Sequence, residues 1–216
     1  MIQKMIDAIS VSYPLTELDC GEYAKQKVSG MNFIIRRSRA EGLGSVSTMV
    51  ASGFFGLMKM DTLIITPTEK DMPLFSYDRV HAKGNDTLIF ELYDTLLGET
   101  DLSHVDQVKM ASAFLPDHDL GAHWYDSIKL PVSLSKKGKK ASTPAFDDCT
   151  ISYLAAFLKD TKTAAPCEAA PKREKASVYV EGLLTHGGPS TDVFKKGIGE
   201  EKTAQLFRKI LFATEV

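Results

Sequence analysis

Apolar and polar positions change rhythm about midway along the chain, and that change carries the fold prediction. Ile2, Met5, Ile6 and Ile9 recur at helical spacing, so the chain opens with an amphipathic helix. Residues 22–40, EYAKQKVSGMNFIIRRSRA, read as two strands about a Ser29-Gly30 turn. The segment SVSTMVASGFFGLMKM (45–60) leaves two readings open: its small and β-branched residues suit a strand, its length a helix. DTLIIT (61–66) is a short apolar run stopped by Pro67. Residues 72–94, MPLFSYDRVHAKGNDTLIFELYD, form two arms around Gly84-Asn85, a two-residue hairpin signal. Connections this short leave no room for parallel crossovers, so the first half predicts an antiparallel sheet.

Helical periods dominate the second half. Leu102, Val105, Val108 and Met110 mark a weak stripe within 101–115. KLPVSLSKKGKKASTP (129–144) reads as a strand running into an exposed basic loop. AFDDCTISYLAAFLKD (145–160) carries the helical stripe Phe146, Tyr153, Leu154, Phe157 and Leu158, with Thr143-Pro144 as its start signal. Another helix runs from Pro171 to about Leu184 and is broken by GGPS (187–190). In EEKTAQLFRKILF (200–212), Thr203, Leu206, Phe207, Ile210 and Leu211 share one helical face. Strands first and helices later predict an α+β fold, with helices packed over a central antiparallel sheet. The 216 residues fit a single domain, 1–216, better than two.

Composition narrows the function classes. The chain is 44% hydrophobic and 25% charged, which supplies a packed core under an ordinary soluble surface. A net charge of −2 makes no global case for a nucleic-acid partner. The opening MIQKMIDAISVSY is too short and interrupted for a secretory leader, and no apolar run approaches the roughly 18 residues of a membrane span. Cys20, Cys149 and Cys167 are odd in number and widely spaced, which argues against a disulfide framework. These features predict a reduced, cytoplasmic protein that engages neither membrane nor nucleic acid.

The hairpin at 72–94 holds the candidate chemistry. With Gly84 and Asn85 as the loop, Val80 faces Ile89, Tyr77 faces Leu92, and Asp78 faces Glu91. Phe75, Tyr77, Leu88, Phe90 and Leu92 then share a core face with Arg79 and His81. The opposite face presents Ser76, Asp78, Val80, Ile89, Glu91 and Tyr93. Two carboxylates side by side and partly buried cannot both ionise freely, so one is held protonated near neutral pH and becomes a proton donor. A solvated sheet face is the alternative reading of the same acids.

Other motifs carry less. His118 and His123 in HDLGAHW lack the spacing and supporting ligands of a metal site, and no metal is expected. The cysteines lack the context of a nucleophile, and Gly42-Leu-Gly44 and Gly187-Gly188 lack the strand–loop–helix setting of a phosphate cradle. Lys136, Lys137, Lys139 and Lys140 form a basic tip, a solvated loop or a docking point for an acidic electron donor such as ferredoxin or flavodoxin. Lys195, Lys196, Lys202, Arg208 and Lys209 would extend it.

The order of these segments resembles the ferredoxin-dependent bilin reductases, a superfamily that includes red chlorophyll catabolite reductase as a more distant member. In TLIITPTEKDMPLFSYDRV, Asp78 falls on that family's catalytic aspartate, which protonates the bound tetrapyrrole; Glu91, in IFELYD, falls where those enzymes usually carry an aspartate. DVFKKGIGEEKTAQLFRKILF resembles the family's closing segment, and GMNFIIRRS and Trp124 are smaller echoes. Two features depart. The strand DTLIIT lacks the family's histidine, and THGGPST stands in place of a polar, acidic loop, leaving His186 or Asp192 as substitutes. The resemblance implies a three-layer α/β/α sandwich with a linear tetrapyrrole between the sheet and the C-terminal helices. Asp78 and Glu91 would be the catalytic acids; Ser76, Val80, Ile89, Tyr93, His186 and Asp192 would contact substrate. It also implies no bound metal or flavin, with reduced ferredoxin or flavodoxin as the external electron donor. A non-catalytic tetrapyrrole carrier, or the same fold reused for another small ligand, is consistent with the departures.

Overall fold

A computed structural model describes residues 1–215. Helix α1 (Ile2–Ser12) precedes strands β1 (Leu15–Leu18), β2 (Lys25–Val28), β3 (Met31–Ala40), β4 (Gly44–Gly53), β5 (Met58–Pro67), β6 (Leu74–Ala82) and β7 (Asn85–Tyr93). Then follow α2 (Ser103–Ala111), β8 (Leu134–Lys139), α3 (Thr143–Thr163), α4 (Ala169–His186), α5 (Pro189–Ile198) and α6 (Glu200–Gln205), the last continuing as a π-helical turn over Leu206–Leu211. The eight strands form one antiparallel sheet in the order β1-β3-β4-β5-β6-β7-β8, and β2 shares the outer edge of β3 with β1. The ambiguous segment 45–60 is all of β4 after Gly44, a turn, and the start of β5; its helix-like length came from two strands meeting at one tip.

Alternation along the strands feeds two cores, one on each face of the sheet. On one face α1 and α3 cover Phe75, Tyr77 and Phe90, with Phe75 4.8 Å from Phe157 and Phe90 stacked 4.1 Å from Tyr153. On the other, α4, α5 and the C-terminal helical turn cover Phe33, Met49, Ile64 and Tyr93. The result is the α+β fold that the sequence pattern predicts, arranged as the α/β/α sandwich that the resemblance implies. Thr203, Leu206, Phe207, Ile210 and Leu211 are all buried, as their shared face requires.

The hairpin register differs from the sequence reading. Its loop residues are Lys83 and Gly84, both at positive φ (51° and 75°), and Ala82 pairs with Asn85. Asp78 therefore faces Ile89, Glu91 faces Ser76, and Tyr77 faces Phe90. A buried ion pair explains the choice. Arg79 donates from Nε and Nη2 to Asp86 at 2.5 and 2.7 Å, one diagonal step across the hairpin. In the alternative register Asp86 would sit a further step away, leaving the buried guanidinium without its carboxylate. Because the slip is an even number of positions, every side chain keeps its face.

The basic loop is also corrected. Lys136 to Lys139 belong to β8, and Lys136 is buried, its Nζ 2.5 Å from Asp117 Oδ1 and 3.1 Å from Leu115 O. A lysine run reads as solvated in one dimension, but the alternation of a strand turns every second side chain inward.

Candidate functional site

Three rows of cross-strand neighbours build a floor on the face covered by α4 and the C-terminal turn. Met49, Thr62, Asp78 and Ile89 lie side by side across β4 to β7; Ile64, Ser76 and Glu91 form the next row, and Met60 and Val80 the row before. Above this floor is a cavity of about 230 Å³. Tyr179 and Leu183 of α4 and Phe207, Leu211 and Phe212 of the C-terminal segment roof it. Its sides are the loop carrying Leu120, His123 and Tyr125 and the α4–α5 junction at Gly188 to Thr191.

Trp124 sets the height of one side. Its ring stacks on Tyr179 at 5.8 Å, and its Nε1 donates to Gly187 O at 3.2 Å. Position 182 in α4 is glycine because the indole lies flat against it; a Cβ there would meet Trp124 Cη2 at 2.1 Å. The loop, α4 and the Gly187-Gly188 break are thus held together by one side chain. At the other end of α4, buried Lys172 donates to Asp71 Oδ1 at 3.2 Å and to the carbonyls of Met72 and Thr95, both at 2.7 Å.

The electrostatics centre on Asp78. Thr62, its direct neighbour on β5, donates its hydroxyl to Asp78 Oδ1 at 2.5 Å. Burial pushes the Asp78 pKa up from 3.8 to about 6; the Thr62 bond opposes this and the Glu91 charge adds to it. The sequence reading put the weight on two facing carboxylates, whereas desolvation is the larger cause and Glu91 acts from a diagonal position. Asp78 keeps some exposed surface and lines the cavity, so its shift comes from a protein-lined recess shared with the ligand space. Tyr93 donates its hydroxyl to Glu91 Oε2 at 2.6 Å and stacks under Tyr179 at 3.9 Å, while Lys129 Nζ stands 3.7 Å from Glu91 Oε1. Burial raises the Tyr93 and Tyr179 pKa values well above 10, so both phenols stay protonated.

Of the sequence-named residues, Ser76, Asp78, Val80, Ile89 and Glu91 converge on the cavity. Tyr93 supports them from below through Glu91 and Tyr179. His186 and Asp192 do not join the lining: both are exposed, His186 beside Trp124 at 5.4 Å and Asp192 against Gly187. The polar positions on that wall are instead Ser190 and Thr191. Sequence reasoning missed Thr62, His123 and Thr191. Glu91 Oε1, His123 Nδ1 and Thr191 Oγ1 are buried atoms with no hydrogen-bond partner in the protein, and all three residues line this cavity. Buried polar groups in native folds are bonded almost without exception, so three such atoms around one aromatic cavity make it the candidate ligand site. Only the HDLGAHW motif offered a sequence signal, since it singled out His123 for a different chemistry; among the described residues no three His, Cys, Asp or Glu converge as metal ligands.

No protein-family model matches the chain, and no curated protein does. Among solved structures, phytochromobilin synthase from tomato, in complex with biliverdin, aligns with a TM-score of 0.81. The alignment covers 99% of this chain and 82% of that one. The two chains share one fold. At 14% identity the likeness to phytochromobilin synthase speaks for architecture, and the chemistry must be argued from the residues above.

Proposed function

We propose that the protein binds a linear tetrapyrrole across the Asp78–Glu91 floor and reduces it with single electrons from an external donor, ferredoxin or flavodoxin, with Asp78 supplying protons. The observation that carries this reading is Asp78 itself, a carboxyl with a pKa of about 6 under an aromatic roof. Such a group is half protonated at about pH 6, still holds a minor protonated fraction at neutral pH, and can donate to a base formed in the site. Each electron added to a conjugated bilin raises its basicity, so protonation from Asp78 draws the reduction forward. Glu91, bonded to Tyr93 through Oε2, stands beside Asp78, and its Oε1, 3.7 Å from Lys129 Nζ and without a hydrogen bond, can accept from a ligand N–H. Tyr125, Tyr179, Phe207 and Phe212 offer faces for a planar conjugated ligand, and His123 and Thr191 offer polar contacts at its edge. The cavity is smaller than the roughly 300–1,000 Å³ of small-molecule pockets, so a tetrapyrrole would displace a wall on entry or remain partly exposed.

Titrating the protein with biliverdin and following the visible spectrum tests binding; adding reduced ferredoxin without oxygen tests turnover. Asp78→Asn should bind biliverdin but lose protonated products. Turnover unchanged in that variant would remove Asp78 from the mechanism, and no spectral change at all would remove the tetrapyrrole. A second reading, a tetrapyrrole carrier, draws on Thr62: the strand that carries a histidine in the resembled family offers a hydroxyl beside Asp78 here. Binding without turnover would favour it.

A further inference from the structure

The β4–β5 turn presents apolar side chains that no packing explains. Phe54 and Leu57 are 54% and 74% exposed, and Phe55 between them is fully exposed. Phe54 and Phe55 both adopt positive φ, 51° and 56°, a conformation unfavourable for bulky residues and seldom kept without a function. Polar residues or glycine would suit this backbone and this solvent exposure better than two phenylalanines.

The register places this finger on a basic rim. Val28 pairs with Met31, Met31 with Gly53, Gly53 with Met58, Met58 with Ala82, Ala82 with Asn85, and Asn85 with Lys139. One end of the sheet therefore carries the 29–30, 54–57 and 83–84 turns and the end of β8 at one level. Lys27 and Lys59 flank the finger, and Lys83, Lys139 and Lys140 continue the rim; all five are exposed. Of two acids beside the rim, Asp86 is buried against Arg79, and Asp147, half-exposed, stands 3.4 Å from the same guanidinium. Positive charge is thus gathered at one edge of a chain whose net charge is −2.

We propose that this end of the sheet docks on an anionic lipid surface, with Phe54, Phe55 and Leu57 inserted among the acyl chains and the rim lysines over the headgroups. A convex three-residue finger needs a partner that deforms around it, which a bilayer does, whereas a protein partner needs a complementary patch of roughly 800 Å² on each side. Aromatic side chains in the interface and lysines over anionic headgroups are the two forces that hold peripheral proteins on membranes. Met60 and Val80, which line the cavity, lie one same-face step from the Met58–Ala82 level of the rim. Docking therefore brings the cavity close to the membrane surface.

Co-sedimentation with phosphatidylcholine vesicles, with and without phosphatidylserine, tests this. The wild type should sediment with the phosphatidylserine vesicles and be released by salt. Phe54→Ser combined with Phe55→Gly should weaken binding at least tenfold, and Lys139→Glu with Lys140→Glu should weaken it specifically on anionic vesicles. Phe55→Gly relieves the positive φ, so an unchanged or raised Tm confirms that a loss of binding is not a loss of fold. Wild type that stays in the supernatant, or a finger variant that binds vesicles as the wild type does, overturns the proposal. So does a finger variant that keeps vesicle binding and loses only its response to an acidic protein such as ferredoxin.

Discussion

Asp78 is the residue on which chemistry and stability pull apart. Its carboxyl has a pKa of about 6 in the fold against 3.8 ordinarily, so the folded state holds its proton over a range where the unfolded chain has released it. The sign follows: stability is full below about pH 4 and falls as pH rises through 6. The loss amounts to about 3 kcal/mol at pH 8, at about 1.4 kcal/mol per pKa unit. Asp78→Asn should match the wild type in urea at pH 4 and exceed it by on the order of 2–3 kcal/mol at pH 8. Thr62→Val removes the bond that lowers this pKa, so the Asp78 midpoint, followed by carbonyl-carbon NMR, should move above 6. Asp86 behaves in the opposite sense. Burial pushes its pKa up, but the bonds from Arg79 and Thr143 outweigh it and hold the carboxyl below the usual range. Its stabilisation is present above pH 4 and is lost as pH falls further. Asp86→Ala leaves the buried guanidinium with only the longer contacts to Asp147 and Thr143 O, both at 3.4 Å, and should lose about 3–5 kcal/mol in denaturant unfolding. Asp78 and Glu91 are legible in the sequence because acids interrupt two apolar strands. Thr62, His123 and Thr191 are not, since a hydroxyl or imidazole in a mixed segment carries no signal until its neighbours are known.

Among the elements, the hairpin shows how a correct face can come with a wrong partner. Gly84-Asn85 is a good local turn, yet Lys83-Gly84 is used because it brings Asp86 to Arg79. Local preference was worth less than satisfying a buried charge. The helices were more legible: the stripe of α3 and the shared face of 200–212 appear where their periods put them. Helix α5 gave no periodic signal of its own, because two glycines precede it and another, Gly197, lies within it; only the resemblance of the closing segment pointed to a helix there. Gly182 gives the test at this scale. Gly182→Ala drives a Cβ into the Trp124 ring, and it should destabilise the fold by about 1–3 kcal/mol despite the gain in helix propensity. Trp124 is the chain's single tryptophan, so its emission should shift red in the same variant as the ring is displaced.

For the whole molecule, the sheet is a partition with different work on its two sides. The α1/α3 side buries the aromatic cluster of Phe75, Phe90, Tyr153 and Phe157, while the α4/C-terminal side keeps the cavity lined by Glu91, His123 and Thr191 with their unbonded polar atoms. A ligand filling that cavity binds the folded state alone, so biliverdin at a hundredfold its Kd should add about 2.7 kcal/mol to stability and raise Tm accordingly. It should also quench Trp124, which stacks on the cavity residue Tyr179. A Tm that does not move with ligand would count against binding at this site. Among the described residues no helix is long and apolar enough to cross a membrane; the lipid contact proposed for the β4–β5 finger rests on its exposed side chains alone.

By itself the sequence determined the class of fold, the strand-to-helix order, and the face on which Asp78 and Glu91 lie. Those properties follow from the periods of two and 3.6, which are local and survive a slip in register. The tertiary structure alone decided that Asp78 pairs with Ile89, that Thr62 bonds it, and that Lys136 is buried. It also decided that His123 and Thr191, rather than His186 and Asp192, complete the cavity. These depend on contacts between residues distant in the chain, such as Thr62 and Thr191 around one cavity, and on the burial those contacts create. A pKa, an unmet hydrogen bond and a cavity are properties of surroundings, and the surroundings exist only once the chain has folded.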